Sequence, residues 1–150
     1  MFIKSYRSLL ALVFAFVTVF LVSCSAPVEV AAPAYNPTQV EQVARYQEIL
    51  QGFRDRFPEL AVAISKKDWV DVGTFIHGPL GELRQKTGYV IRNIINPSEA
   101  AKAKEIADQL FDSLEAIDKA AAENKQTVAV KKYNESIAAF DKFLELFAKS

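Results

Sequence analysis

The sequence predicts an all-α protein: a four-helix up-down bundle preceded by an export leader and a proline-containing tether. Three observations carry that expectation. Apolar residues recur at three- and four-residue steps in four stretches of the chain. Residues that cap or break helices stand between those stretches. No window alternates apolar and polar residues with period two, so no strand is expected. A chain of 150 residues fits one domain. Its hydrophobic content of 51% and its 5 glycines argue against disorder.

Residues 1–23 read as a signal peptide. Lys4 and Arg7 supply the positive end, and Leu9 to Val22 is an apolar run interrupted only by Thr18. That run is short for a membrane span, which needs about 20 apolar residues. Leu21-Val22-Ser23-Cys24 resembles the bacterial lipoprotein signal, in which the thiol takes a diacylglycerol thioether and cleavage before it frees an amine for acylation. Cys24 is the only cysteine and sits where the apolar run ends; an uncleaved anchor and an ordinary leader with an accidental cysteine are the alternatives. No intrachain disulfide can form.

Residues 24–37 then read as a lipidated tether. Pro27, Pro33 and Pro37 oppose helix formation and favour polyproline II. At ~3.1 Å per residue, such a strip lets a folded body stand off the membrane and stay local to it.

The bundle is expected over residues 38–150. Thr38 and Glu41 have the spacing of a capping box. Val40, Val43, Leu50, Phe53 and Phe57 follow at helical steps, and Pro58 breaks or kinks that helix. The second segment runs from about Asp68 to Ile95, with Trp69, Val72, Ile76, Leu80, Leu83, Val90 and Ile94 on one stripe. His77-Gly78-Pro79 interrupts it, since Pro79 has no amide proton and its ring opposes the Phe75 carbonyl. The third segment opens with Asn96 as cap, Pro97 as first helical residue and Glu99 three residues on; its stripe is Ile106, Leu110, Leu114 and Ile117. A turn at Asn124 to Gln126 leads to the fourth, striped by Val130, Tyr133, Ile137, Phe140, Leu144 and Phe147. Short connections favour antiparallel packing. Phe75, Phe143 and Leu146 fall outside these stripes and are the expected interface residues; Trp69 is expected in the core.

The residues for catalysis are sparse. His77 is the only histidine and the only thiol is assigned to lipid, so no hydrolase triad or Cys-x-x-Cys-His haem site can be assembled. Thr74 stands three residues before His77, where a di-metal bundle needs glutamate. There is no glycine-rich phosphate loop. His77 is expected to end a helix at the kink. A weak, adventitious zinc site with Asp71 is the sharper alternative; otherwise no cofactor is expected.

Charge excludes nucleic acid as a partner. Lys4 and Arg7 fall in the leader, leaving 16 basic against 18 acidic residues. The charges are uneven: Glu99 to Glu123 is acidic, with Asp108, Asp112 and Glu115 on one helical face, whereas Arg84, Lys86 and Arg92 make Leu80 to Ile95 basic. That basic set is the expected docking surface, with solvated faces as the plainer reading.

Trp69-Val70-Asp71, followed by Phe75-Ile76-His77-Gly78-Pro79-Leu80-Gly81-Glu82-Leu83-Arg84, resembles the cyanobacterial PsbQ-like family. The Leu-Val-Ser-Cys signal, Tyr35-Asn36-Pro37 and the ending Ala139-Phe140-Asp141-Lys142-Phe143-Leu144 are similar too. The resemblance spans nearly the whole chain, and Ile-His-Gly-Pro-Leu-Gly is its most specific part. It implies a four-helix bundle, and a non-catalytic extrinsic lipoprotein on the lumenal side of the thylakoid membrane. It further implies photosystem II subunits as partners, and a role in stabilising the oxygen-evolving complex and its calcium and chloride requirement. A periplasmic or lumenal lipoprotein that binds a metal or small ligand is the competing expectation.

Overall fold

The computed structural model describes residues 37–148; the expected leader, Cys24 and nearly all of the expected tether lie outside them. Every element among the described residues is helical. In chain order they are α1 (Pro37–Asp55), α2 (Phe57–Lys66), α3 (Trp69–His77), α4 (Leu83–Arg92), α5 (Pro97–Ala122) and α6 (Gln126–Ala148).

Each boundary has a local cause. Pro58 sits in the first turn of α2, where a missing amide is harmless, and its ring would oppose the Arg54 carbonyl of a continuous helix. The chain therefore breaks at Arg56, whose amide turns back to the Phe53 carbonyl at 3.2 Å. α2 ends with Lys67 in the left-handed region at φ 56°, and the Asp68 amide donates to the Ala63 carbonyl at 2.9 Å. That is the Schellman arrangement. Asp68 then caps α3, its Oδ1 accepting from the Asp71 amide at 3.1 Å.

The second break is the His77-Gly78-Pro79 interruption. With no amide on Pro79, the Phe75 carbonyl receives the Leu80 amide instead, at 3.1 Å. Gly81 and Leu83 continue the turn by donating to the Gly78 and Leu80 carbonyls, each at 3.0 Å. The turn is so tight that a Cβ on Gly78 would lie 2.7 Å from the Thr74 oxygen, and one on Gly81 2.6 Å from the His77 oxygen. Backbone crowding thus requires both glycines, although neither has positive φ.

α5 starts as its sequence predicts. The Asn96 side chain accepts from the amides of Ser98 at 2.9 Å and Glu99 at 3.4 Å, and Pro97 is the first helical residue. The helix ends in a second Schellman turn: Asn124 has φ 57°, and the Lys125 amide reaches the Ala120 carbonyl at 2.8 Å. Asn tolerates that conformation better than most residues.

The most extensive helix pairing is α5 with α6. Both helices bury small residues: Ala103, Ala107, Ser113, Ala120 and Ala121 on α5, and Ala129, Ser136 and Ala139 on α6. The other helices pack on this pair, α1 and α2 in succession along α6, α3 and α4 in succession along α5. Direction follows from named contacts. Gln47 donates to the Phe147 carbonyl at 2.8 Å, Arg54 pairs with Asp141 at 2.6 Å, Phe57 packs on Phe140 with centroids 5.4 Å apart, and Gln126 donates to the Ile64 and Ser65 carbonyls at 3.0 Å. Advancing along α1 and α2 means retreating along α6, so the two run antiparallel.

The expected stripes on the second and third segments hold: Val72, Leu80, Leu83, Val90, Ile106, Leu110, Leu114 and Ile117 are buried. Trp69 packs partly buried against the core. Three expectations are overturned. Phe75 and Phe143, assigned to an interface, are buried at 7% and 0% exposure, whereas Val130, assigned to the core, is 43% exposed. Leu146 is half-buried and packs on the core. On α6 the buried face is centred on Ala129, Ser136, Ala139 and Phe143, to one side of the large-residue stripe. The physical reason is close approach: α5 comes nearest where α6 carries alanine and serine, and Phe143 fills the space beside them. Ser136 is satisfied there by donating to the Tyr133 carbonyl at 2.7 Å.

We expect Gly78→Ala and Gly81→Ala each to destabilise the fold by roughly 1–3 kcal/mol through backbone crowding. Gly52→Ala, in the exposed interior of α1 with nothing within 4 Å of its Cβ, should stabilise it by about 0.5–1 kcal/mol. Urea unfolding of the three variants checks both signs.

Candidate docking surface

The three cations singled out in the sequence all lie on or beside α4, but they do not make one patch. At 3.6 residues per turn, Arg84 and Arg92 fall on neighbouring outward positions while Lys86 projects from the other flank. Arg84 is already engaged. Its Nη2 donates to Glu115 at 2.6 Å, and its guanidinium lies 4.3 Å from the centroid of Phe111. Phe111 and Glu115 are one helical turn apart on α5, so one arginine spans both. Lys86 pairs with Glu82 at 3.5 Å. Arg92 has no ion-pair partner within 4 Å among the described residues, and its guanidinium lies over Gly88. The acidic face of α5 is likewise partly committed, Asp108 to Lys104 at 2.6 Å and Glu115 to Arg84. What reads as opposed potentials in sequence is in part internal pairing between α4 and α5.

His77 is exposed at the last turn of α3, where a histidine suits the helix dipole when protonated. Its Nε2 lies 3.2 Å from Asp118 of α5, not beside Asp71. Six residues along a helix amount to about 9 Å of rise, so Asp71 and His77 stand at opposite ends of α3. No group of three or more His, Cys, Asp or Glu side chains able to hold a metal ion forms among the described residues. Asp118 was missed in sequence because it is one of many acids on α5, and only the packing of α3 on that helix selects it.

The described residues include several open grooves, two of which are edged by ion pairs. One, of about 530 Å³, lies between α1 and α6 and is lined by Gln47, Glu48, Gln51, Asp141, Leu144 and Glu145. Asp141 is held at its edge by the two-point contact with Arg54, 2.6 and 3.1 Å, which raises the Arg54 pKa above its ordinary value. The other, of about 330 Å³, lies between α2 and α3, with Val62, Ala63 and Phe75 below and Arg56, Glu59 and Lys66 around it. Arg56 is clamped to Glu59 at 3.1 Å and lies over the Phe75 ring at 5.5 Å. Amides, ion-paired carboxylates and aliphatic side chains of this kind can hold a partner. Burial raises the Tyr133 hydroxyl pKa, which keeps it protonated rather than reactive.

Fold and surface thus define an all-helical protein whose described residues carry open grooves edged by ion pairs. The comparisons give that class a family. Residues 4–148 match the family model PsbQ, described as oxygen evolving enhancer protein 3. The chain is also 37% identical over 145 residues to the protein named CyanoQ from Synechocystis sp., covering 96% of this chain and 97% of that one. The chain belongs to the PsbQ family.

Three surface carboxylates give a pH expectation. Hydrogen bonds from Arg56, Lys125 and Lys132 hold Glu59, Glu123 and Glu135 below their ordinary value of 4.5. A depressed folded-state pKa contributes stability above the unfolded value, lost as pH falls through the folded one. We expect a melting temperature insensitive to these groups above pH ~5 and declining below ~4.3. Because the pairs are exposed, high salt should flatten that decline, which melts at two ionic strengths measure.

Proposed function

We propose that this chain is a non-catalytic extrinsic subunit of photosystem II, held on the lumenal face of the thylakoid membrane by lipid on Cys24. In this reading it stabilises the oxygen-evolving complex and supports retention of its calcium and chloride. The observation that carries the reading is the 37% identity to CyanoQ over nearly the full length of both chains, with the family's own description pointing to oxygen evolution. The helical body fits the same reading as a four-helix up-down bundle, its first two rods each broken at a proline: α1–α2, α3–α4, α5 and α6. Residues 1–23 act as the signal peptide, residues 24–37 as the lipidated tether and 38–150 as the bundle.

The mechanism needs no chemistry at a site. Several acyl chains, each methylene worth ~0.8 kcal/mol, hold the protein on a bilayer. The tether then raises the local concentration of the body near its partner, so a modest surface suffices for docking. The docked bundle covers lumenal loops and slows the escape of ions and neighbouring subunits. On α4, Arg84 and Lys86 are already paired internally, which leaves them less available for such docking.

Cys24→Ala is expected to release the protein from thylakoid membranes into the soluble fraction. Fractionation at high salt measures this, and full retention of the variant on the membrane would overturn the lipid anchor.

A further inference from the structure

The large hydrophobic residues exposed among the described residues are Val62 at 49%, Val70 at 78%, Val128 at 42% and Val130 at 43%. Val62 and Val70 flank the turn between α2 and α3. Val128 and Val130 lie in the first turns of α6, just after the turn from α5. The Gln126 side chain joins the two turns by donating to the Ile64 and Ser65 carbonyls at 3.0 Å. Val130 lies one helical turn beyond Gln126 on the same side of α6, and so beside the end of α2. Along the helix axes the exposed valines therefore lie near the same end, or pole, of the body, with Val128 and Val130 on opposite faces of α6.

Lysines lie near them in the chain. Residues 62–71 and 119–132 hold Lys66, Lys67, Lys119, Lys125, Lys131 and Lys132 against Asp68, Asp71 and Glu123. Lys125 is paired with Glu123 at 2.7 Å, and Lys131 and Lys132 with Glu135 at 3.9 and 2.6 Å. Asp68 is occupied in capping α3. Lys66, Lys67 and Lys119 have no ion-pair partner within 4 Å among the described residues, and Lys66 borders the groove floored by Val62, Ala63 and Phe75. Exposed valines near the same end as Lys66 and Lys67, with Lys119 facing only Glu123 one turn on, suit a partner surface that is apolar with carboxylates around it.

The antiparallel course of α1–α2 and α6 puts this pole at the far end of the body from Pro37, where the preceding residues join it. A body tied to a bilayer through those residues has its remote pole free to meet protein that stands above the membrane. We propose that this valine–lysine pole is the docking surface of the chain, and that its occupant is an acidic-rimmed apolar surface on a membrane-extrinsic part of photosystem II. The inference deepens the proposed function and rests on it.

The test is rebinding of purified, lipidated protein to photosystem II particles lacking it, with bound protein measured against concentration and salt. One variant carries Val62→Ser, Val70→Ser and Val130→Ser; a second carries Lys66→Glu and Lys67→Glu; a third carries Arg84→Glu and Arg92→Glu. Circular dichroism and melting confirm that each is folded, which the exposure of the substituted residues favours. The pole variants are expected to bind at least about tenfold more weakly, the lysine variant with a shallower salt dependence, and the α4 variant to stay within about threefold of wild type. Wild-type binding with undiminished binding of folded pole variants would overturn the pole and leave the photosystem II reading intact. Failure of the wild-type protein itself to rebind would overturn that reading, and the pole with it.

Discussion

The close approach of α5 to α6 is the constraint on which the rest of the body depends. Alanine and serine on both helices let the backbones come together, and the larger residues beside them, Ile106, Leu110, Phe140 and Phe143, fill the remaining space. The two broken rods are then laid against this hairpin, α1–α2 on α6 and α3–α4 on α5. Each large apolar side chain taken from water there contributes about 1.5–3 kcal/mol, so packing against a fixed hairpin outweighs the weak intrinsic preference of short helices such as α3.

The breaks are therefore compatible with order. A nine-residue helix such as α3 does not persist alone in water. Here Asp68 caps its start, the Gly78–Glu82 turn receives its last carbonyls, and Val72 and Phe75 anchor it to the core. The Ile-His-Gly-Pro-Leu-Gly run is in this light a structural motif. Pro79 removes an amide, Leu80 supplies a substitute bond, and the two glycines avoid collision with carbonyl oxygens. His77 adds an exposed contact to Asp118 across to α5. The most specific stretch of the sequence thus shapes a bend, not a catalytic pocket.

The surface has two kinds of charge. Many ion pairs are local or bind neighbouring helices, such as Arg84 with Glu115 and Arg54 with Asp141, and these stitch the body. Others have no such partner among the described residues, and the lysines of the α2–α3 turn are the clearest case. Exposed pairs contribute little to stability. The apolar content of the same pole completes a surface whose two parts fail separately as signals and make sense together.

Much of the fold was legible in sequence. Asn96-Pro97, Pro58, Pro79 and the turn at Asn124 are backbone chemistry, which acts locally and so marks helix ends wherever the helices go. The apolar stripes of the second and third segments likewise announce their buried faces, because 3.6-residue periodicity is a property of one helix. The expectations of a leader and of lipid on Cys24, and the family resemblance, also rest on the sequence alone. Tertiary structure decided the rest. Size could not tell that Phe143 is buried while Val130 is exposed, because the answer depends on where α5 approaches α6. Charge type could not tell that Arg84 is spent on Glu115 or that His77 meets Asp118, because those partners lie 31 and 41 residues away in the chain. Nor could spacing gather valines and lysines from two distant turns into one pole: periodicity reports the face of a single helix, and only packing sets one helix beside another.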